Sequence, residues 1–214
     1  MNCQKEIMNC QKEIMNYQKE IEYLKSKDIK LATIFPTELD MIVSDDDIYG
    51  ALMSAIISQQ ISTAAANSIK KRFLEFFKNT YPDIETVLNT NIETLKSLGL
   101  STQKASYIKN VAIFYQKNSL TNRELLKLND EQLIEKLTQI KGVGIWTVEM
   151  ILMFKLARPD VFALDDLGLI NGVVKLYSLK KTKTLKKRIE KISKRWSPYR
   201  SVASRYIWAY KDKK

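Results

Sequence analysis

Histidine is absent from all 214 residues of the sequence, and cysteine occurs only twice, at Cys3 and Cys10. The lack of histidine excludes Ser-His and Cys-His nucleophile pairs, and it excludes zinc sites that use imidazole ligands. Two cysteines cannot build a disulfide framework, and they are too few for the four thiolates of an iron–sulfur cluster. No iron–sulfur cofactor is therefore expected.

Long apolar runs are also lacking. No stretch reaches the roughly 20 apolar residues of a membrane-spanning helix, and the N-terminus has no apolar core of a secretory signal. We therefore expect a cytoplasmic protein with no membrane partner. Hydrophobic residues make up 45% of the chain and charged residues 28%, as in ordinary globular proteins. The length suffices for one large domain or for two lobes.

Acidic residues are scarce near the C-terminus. Residues 175–214 contain 15 Lys or Arg against Glu190 and Asp212, a net charge of +13, whereas residues 1–174 sum to −2 (20 basic, 22 acidic). The whole excess of +11 therefore lies in the last 40 residues. A basic face of this kind is typical of proteins that bind a phosphate backbone. The alternative is a solvated helix surface that only aids solubility.

Alternating strand patterns are missing, and the chain reads as about ten short helices, which predicts an all-α fold. Most of these helices begin after a residue with a capping side chain, namely Asp47, Ser62 or Thr63, Asp83, Asn91, Ser101, Thr121 and Asn129. Residues 182–196 predict a basic amphipathic helix. Ser197 and Pro198 then predict a cap and a first helical position for the last helix.

Residues 1–21 are three heptads, MNCQKEI, MNCQKEI and MNYQKEI. Isoleucine recurs every seven residues, at Ile7, Ile14 and Ile21, as in a short coiled coil. A tandem duplication that forms a fraying, non-catalytic helix is the other interpretation. We treat residues 1–24 as an N-terminal extension.

The most informative stretch is residues 137–177. A tight turn with Gly142 and Gly144 separates two apolar helices, and Asp165 and Asp166 open a third helix. Glycine lets the backbone approach a phosphate closely, and the N–H groups of the next helix start point outward. A carboxylate at Asp166 could face whatever the turn holds. The alternative is an ordinary helix–turn–helix with an N-capping aspartate.

These residues resemble the helix–hairpin–helix DNA glycosylase superfamily, and within it the AlkA-type 3-methyladenine DNA glycosylases. The family hairpin, roughly L-x-x-[ILF]-x-G-[IV]-G-x-[WK]-T-[AV], is matched by Leu137, Ile140, Gly142, Val143, Gly144, Trp146, Thr147 and Val148. The resemblance covers roughly residues 26–210 and includes SQQIS at 58–62 and WSPYRS at 196–201.

The resemblance implies a two-lobed, all-α HhH-GPD glycosylase fold over residues 25–214, with the active cleft between the lobes. The inner lobe would comprise about residues 48–156, including the hairpin at 137–148. The second lobe would comprise about residues 25–47 together with 160–214.

The family's catalytic aspartate falls on Asp166, with Asp165 as the expected helix cap. Such a carboxylate stabilises the oxocarbenium-like state of the sugar as the N-glycosidic bond breaks. Relatives with lyase activity carry a nucleophilic lysine where this chain has Trp146. The resemblance therefore implies a monofunctional glycosylase of base excision repair, which excises alkylated purines such as 3-methyladenine and has no AP-lyase activity.

Trp146 and Trp208 match aromatic positions near the family's base pocket, and Tyr49 is a weaker aromatic candidate for the same pocket. A cationic alkylated base over an aromatic face gains about 0.5–2 kcal/mol. Core packing is the alternative for both tryptophans.

The residues expected to contact DNA are Gln59, Gln60, Gly142, Val143, Gly144, Thr147 and Arg200. Gln60 would fill the gap left by a flipped nucleotide, although a pair of glutamines at a helix end is also typical of a solvated turn. Relatives also hold a monovalent cation, Na⁺ or K⁺, on hairpin carbonyls, here those of Thr138, Ile140 and Val143. No other cofactor is expected to be required.

The expected partner is double-stranded DNA that contains alkylated bases, bound by a monomer in a bacterial-type, nucleoid-associated setting. Two rival functions stay open. One is a sister glycosylase for an oxidised or mismatched base. The other is a non-catalytic DNA-binding protein that uses the hairpin only as a phosphate clamp.

Overall fold

The structure of the protein, a computed structural model, describes residues 17–35, 39, 42 and 44–212. All regular elements in these ranges are helical, which confirms the all-α prediction. They are α1 Gln18–Lys27, α2 Ile29–Ala32, α3 Ile48–Ser58, α4 Thr63–Phe76, α5 Ile84–Asn89, α6 Ile92–Ser97, α7 Thr102–Lys117, α8 Asn122–Leu125, α9 Asp130–Leu137, α10 Ile145–Phe154, α11 Leu167–Tyr177, α12 Leu185–Ser193, a 3-10 turn Lys194–Trp196, and α13 Arg200–Asp212. None of these helices is long and apolar enough to cross a bilayer.

The helices form two compact units. The hairpin unit is Ser44–Ala157 and contains α3 to α10. The terminal unit combines the described residues before Ser44 with the segment that begins at Arg158, and it contains α1, α2 and α11 to α13.

Helix α3 is the centre of the hairpin unit because both its sides are apolar. Its residues Ile48, Leu52 and Ile56 are fully buried, and α3 packs on α4, α7, α8 and α10. The predicted helix starts are confirmed, since each capping side chain accepts a bond from a backbone N–H of its own first turn; these caps are Asp47, Ser62, Asp83, Asn91, Ser101, Thr121 and Asn129.

The contact between α11 and α13 organises the terminal unit. A Cβ at Gly172 of α11 would lie 2.9 Å from the carbonyl oxygen of Ile207 in α13. The two helices can therefore approach this closely only because glycine stands there. Ile207 and Trp196 are fully buried in the same core, which fixes the position of α13 relative to α11.

A buried acid ties α1, α2 and the C-terminal segment of the terminal unit together. Asp28 is 4% exposed and accepts hydrogen bonds from the Tyr177 hydroxyl at 2.6 Å and the Trp196 indole N–H at 3.1 Å. Burial alone would raise the pKa of Asp28. Hydrogen bonds from Tyr177, the Leu31 N–H and Trp196, together with the Arg195 charge, outweigh burial and hold that pKa below its usual value.

Two predictions about the C-terminal segment are wrong in detail. The basic helix over 182–196 is shorter, because only Leu185–Ser193 is α-helical and a 3-10 turn follows. The last helix begins at Arg200, so Pro198 lies before it and not in its first position.

The described part of the third heptad, Tyr17 to Ile21, belongs to the folded terminal unit. The Tyr17 hydroxyl accepts a hydrogen bond from Arg205 at 2.7 Å and one from the Ile42 N–H at 3.3 Å, and Ile21 packs on the core. Tyr17 and Ile21 are four residues apart and so share one helix face. The first two heptads lie outside the described residues, and their coiled-coil interpretation stays a prediction.

Candidate active site

The predicted hairpin joins α9 to α10. After α9 ends at Leu137, the Ile140 N–H bonds to the Leu137 carbonyl at 3.1 Å and the Val143 N–H bonds to the Ile140 carbonyl at 2.9 Å. Gly144 is the N-cap of α10, and the first bond within that helix runs from the Val148 N–H to the Gly144 carbonyl. The N–H groups of the first turn have no acceptor inside the helix, so α10 presents them at the hairpin.

The two hairpin glycines differ in the reason why a side chain is absent at each position. Gly142 has a φ of +107°, and a Cβ there would lie 2.2 Å from the Tyr107 ring. Gly144 has an ordinary φ of −97°, and apart from its own chain neighbours and helix no described atom lies within 4 Å of a Cβ placed there. Internal packing therefore explains Gly142, whereas Gly144 keeps space open outside the hairpin.

Side-chain amides from two other helices hold the loop. Gln59, the residue after α3, donates to the Gly142 carbonyl at 3.0 Å, and Asn110 of α7 donates to the Lys141 carbonyl at 3.1 Å. The structure thus shows Gln59 fixing the hairpin, a role that the sequence did not indicate. Its direct contact with DNA stays a prediction.

Gln60 has a different setting from its neighbour. It is exposed and its φ is +54°, in the left-handed region that residues other than glycine seldom adopt. Such conformations cluster at functional sites, where the surrounding structure enforces them. The turn between α3 and α4 therefore presents the Gln60 side chain to the outside.

A groove of about 650 Å³ brings together six of the predicted residues of the hairpin unit, namely Gln59, Gln60, Gly142, Gly144, Trp146 and Thr147. Trp146 is 46% exposed in it, whereas Thr147 and Val143 are each 5% exposed. The side chains of Thr147 and Val143 are therefore largely inaccessible from the groove, and the Val143 N–H is already bonded to the Ile140 carbonyl.

The groove has a second wall that sequence reasoning missed. It is the start of α7, with Ser101, Gln103, Lys104 and Tyr107. Lys104 donates to the Ile57 carbonyl at 2.8 Å, and burial lowers the pKa of its ammonium group. The Ser101 cap was visible in the sequence, but nothing in the sequence placed it opposite the hairpin.

Tyr49 does not join this groove. It lines a separate depression of about 390 Å³ with Tyr115 and Asp83, and its ring packs on the Tyr115 ring at 4.8 Å. Its hydroxyl is buried and has no hydrogen-bond partner among the residues that the structure describes. Burial raises the pKa of Tyr49, and the charges of Asp83 and Asp47 add to that shift. The structure therefore separates Tyr49 from Trp146.

Asp166 itself is the N-cap of α11, and the expectation that Asp165 caps this helix is wrong. The Asp166 Oδ1 accepts the Leu169 N–H at 2.6 Å and the Trp208 indole N–H at 2.7 Å. Asp165 is exposed and pairs with Lys186. The structure thus brings the predicted catalytic carboxylate and one predicted pocket tryptophan into direct contact within the terminal unit.

Arg200, predicted to contact DNA, is engaged inside the terminal unit. Its Nε lies 2.7 Å from Asp160 Oδ1 and its Nη2 lies 3.0 Å from Asp160 Oδ2. Burial would raise the pKa of Asp160, but the hydrogen bonds from Arg200 and Ser197 and the Arg200 charge hold it below its usual value. This two-point ion pair anchors the start of α13, a role that the sequence did not indicate.

Nine exposed Lys and Arg side chains lie within residues 180–195, which we call the basic segment. Within it, six cationic side chains have neither an ion pair nor a hydrogen bond in the described part of the chain; they are Lys180, Lys181, Lys183, Lys187, Arg188 and Lys191. Charges that the protein leaves unpaired are available to an anionic partner.

The family model of the HhH-GPD superfamily base excision DNA repair proteins matches residues 53–198. This range contains the groove, the hairpin and the capping aspartate. The chain belongs to this superfamily.

Relatives of this HhH-GPD protein have consistent names. DNA-3-methyladenine glycosylase 1 of Schizosaccharomyces pombe is 39% identical over 75% of this chain and 71% of its own length. The putative DNA-3-methyladenine glycosylase YfjP of Bacillus subtilis is 35% identical over 78% of this chain, but the match spans only 60% of that relative.

Solved structures share the fold. The 3-methyladenine DNA glycosylase of S. pombe in complex with abasic DNA superposes with a TM-score of 0.77 at 34% identity, over 89% of this chain and 95% of that one. The helical architecture of this HhH-GPD protein is therefore that of a DNA glycosylase.

Proposed function

We propose that this HhH-GPD protein is a monofunctional DNA glycosylase, which removes alkylated purines such as 3-methyladenine from double-stranded DNA and leaves an abasic site. The observation that carries the proposal is the Asp166 carboxylate, which two N–H donors hold in one place at the start of α11. The names of the relatives support the substrate class.

The chemistry fits a fixed anion. As the N-glycosidic bond breaks, positive charge develops on the sugar, and a carboxylate that is already oriented stabilises it without reorganisation. A purine alkylated at N3 or N7 is cationic and leaves without first being protonated. A chain without histidine can therefore cleave this bond.

In this proposal the hairpin binds the DNA backbone. The start of α10 combines N–H groups that lack acceptors within the helix with the open space at Gly144, and this combination suits a phosphate. We assign the filling of the gap left by a flipped nucleotide to Gln60, and its exposure in a left-handed turn supports this assignment.

A monovalent cation at the hairpin belongs to the same proposal. Its ligands would be the carbonyl oxygens of Thr138, Ile140 and Val143, a donor type that suits K⁺ or Na⁺. The Ile140 carbonyl accepts one hydrogen bond, from Val143, and its second lone pair could serve a cation. We propose further that the protein acts as a monomer on DNA in the cytoplasm.

The direct test is chromatography of bases released from DNA treated with a methylating agent. We expect free 3-methyladenine, formed in proportion to enzyme. Release of an oxidised or mismatched base from a duplex that contains one, with none from methylated DNA, would indicate the sister glycosylase, and tight DNA binding without any base release would indicate a clamp.

The absence of lyase activity gives a separate prediction. The lysine of lyase-competent relatives is replaced here by Trp146, which cannot form a Schiff base with the opened sugar. After reaction with methylated DNA, borohydride should trap no protein–DNA adduct, and strands should break only after alkaline treatment. A trapped adduct with the wild-type protein would contradict this prediction.

The basic segment predicts the salt dependence of DNA binding. The affinity for DNA falls as salt rises. Replacing Lys183, Lys187 and Lys191 together by glutamine should make the fall of log affinity with log salt less steep, by up to about 0.9 per lost phosphate contact. The matched control replaces three exposed lysines elsewhere, Lys25, Lys117 and Lys127. If both triple variants have the wild-type slope, the basic segment does not contact DNA.

A further inference from the structure

We infer that Trp208 is a positioning residue, whose indole N–H orients the Asp166 carboxylate, and that this bond matters more for base release than stacking of its ring on the damaged base. This inference rests on the proposed function, since it assumes that Asp166 acts on the sugar. It changes the role that the family resemblance implies for Trp208.

The geometry of the bond is the first argument. Trp208 Nε1 lies 2.7 Å from Asp166 Oδ1, the same oxygen that accepts the Leu169 N–H at 2.6 Å. Hydrogen bonds to a charged acceptor are roughly twice as strong as neutral ones. The two donors come from different helices, so the carboxylate is held from two directions.

The second argument is that packing fixes the indole before any substrate arrives. Trp208 follows Ile207, which is fully buried and touches Gly172 of α11. Trp208 itself packs on the core of the terminal unit and is only partly exposed. Its N–H therefore has a defined position relative to the start of α11.

Gly168 provides the third argument. A Cβ there would lie 3.1 Å from Asp166 Oδ1 and 3.3 Å from Trp208 Nε1. These distances are tighter than ordinary contacts, so a larger residue would press on the hydrogen bond itself. The second residue of α11 is thus the one that leaves room for the pair.

The consequence for catalysis follows from the freedom of an aspartate side chain. Its terminal torsion is broad, so each hydrogen bond that the carboxylate accepts narrows the range over which the carboxyl plane can turn. A second donor at the same oxygen restricts that rotation. A catalytic group that is oriented in advance costs no reorganisation when charge develops.

The test compares Trp208→Phe and Trp208→Leu in single-turnover release of 3-methyladenine. Phenylalanine keeps an aromatic face and loses the N–H, whereas leucine loses both. We expect both variants to be slower by a similar factor of about 10- to 100-fold, as for one hydrogen bond to a charged group. Affinity for the methylated duplex should stay within about 2-fold of wild type, since that bond touches no DNA.

Two further variants separate positioning from folding. Trp196→Phe removes the matched bond from an indole N–H to a carboxylate, that of Asp28, and should leave the release rate unchanged at a temperature where the protein is folded. Gly168→Ala keeps both partners but crowds their bond, and should slow release when the rate is measured, as for Trp196→Phe, at a temperature where the protein is folded.

The outcomes are distinct. If the wild-type protein releases no base, the proposed function fails. If it releases base and Trp208→Phe is as fast as wild type while Trp208→Leu is slow, the ring matters and the inference is overturned. If the single variants Trp208→Phe and Gly168→Ala both release base at the wild-type rate, the inference is also overturned.

Discussion

Replacing Asp166 by asparagine is expected to slow the release of 3-methyladenine by about 10³-fold, the upper range for loss of one electrostatic contribution to a transition state. Asparagine has nearly the same shape, and it is an equally good N-cap. The Leu169 and Trp208 N–H groups that bond to Asp166 can still donate to the amide oxygen. The variant should therefore fold normally and lose only the negative charge that we propose stabilises the sugar.

The measurement is single-turnover base release together with the affinity for methylated duplex, which should stay within about 2-fold because only the reacting state gains from that charge. Asp165→Asn is the matched control. Asp165 is exposed and makes an ion pair with Lys186, and such pairs contribute little. A variant of Asp166 that retains release, or an Asp165 variant that loses it, would contradict the assignment.

Replacing Gly142 by alanine should be the most damaging single change to the hairpin. The new Cβ would lie 2.2 Å from the Tyr107 ring at a φ of +107°. Strain in a backbone region that L-residues avoid costs about 1–3 kcal/mol, and overpacking costs about as much again. We expect the free energy of unfolding to fall by roughly 2–5 kcal/mol, as chemical denaturation would measure.

Gly144→Ala is the matched comparison, because the same methyl group enters open space there. Replacing glycine by alanine at an N-cap should cost at most about 1 kcal/mol of stability. DNA affinity should nevertheless fall, by about 10-fold if one phosphate contact is lost. Unchanged DNA affinity in a folded Gly144→Ala variant would mean that no phosphate approaches the hairpin at this residue.

The local features of the fold were readable from the sequence because they depend on neighbouring residues. A capping side chain bonds an N–H two or three residues away, so Ser62, Asp83 and Asn129 marked helix starts that the structure confirms. The hairpin pattern likewise needs only consecutive residues. Local patterns failed where tertiary contacts compete, as at Tyr17, which looked like part of a repeat but bonds to Arg205 across 188 residues of sequence.

The roles of the candidate site residues were also beyond what neighbouring residues in the sequence could predict. Asp165 and Asp166 carry the same side chain, so the sequence could not decide by chemistry which of them caps α11. The two glutamines at 59 and 60 are also alike in sequence, yet one fixes the hairpin through the Gly142 carbonyl and the other is exposed at a φ of +54°. Tyr49 was predicted to line the base pocket and Arg200 to contact DNA, but the Tyr49 ring packs on Tyr115 and Arg200 pairs with Asp160, each inside its own unit.

By itself, the sequence determined the all-helical class, the hairpin with its two glycines, the basic C-terminal segment and membership of a DNA repair superfamily. Each of these features depends only on composition or on residues that are close together in the sequence. Only the tertiary structure decided that Trp208 meets Asp166, 42 residues away, and that α7 forms the second wall of the groove. Contacts of this kind depend on how helices pack, and packing depends on the whole core and not on any one segment of it.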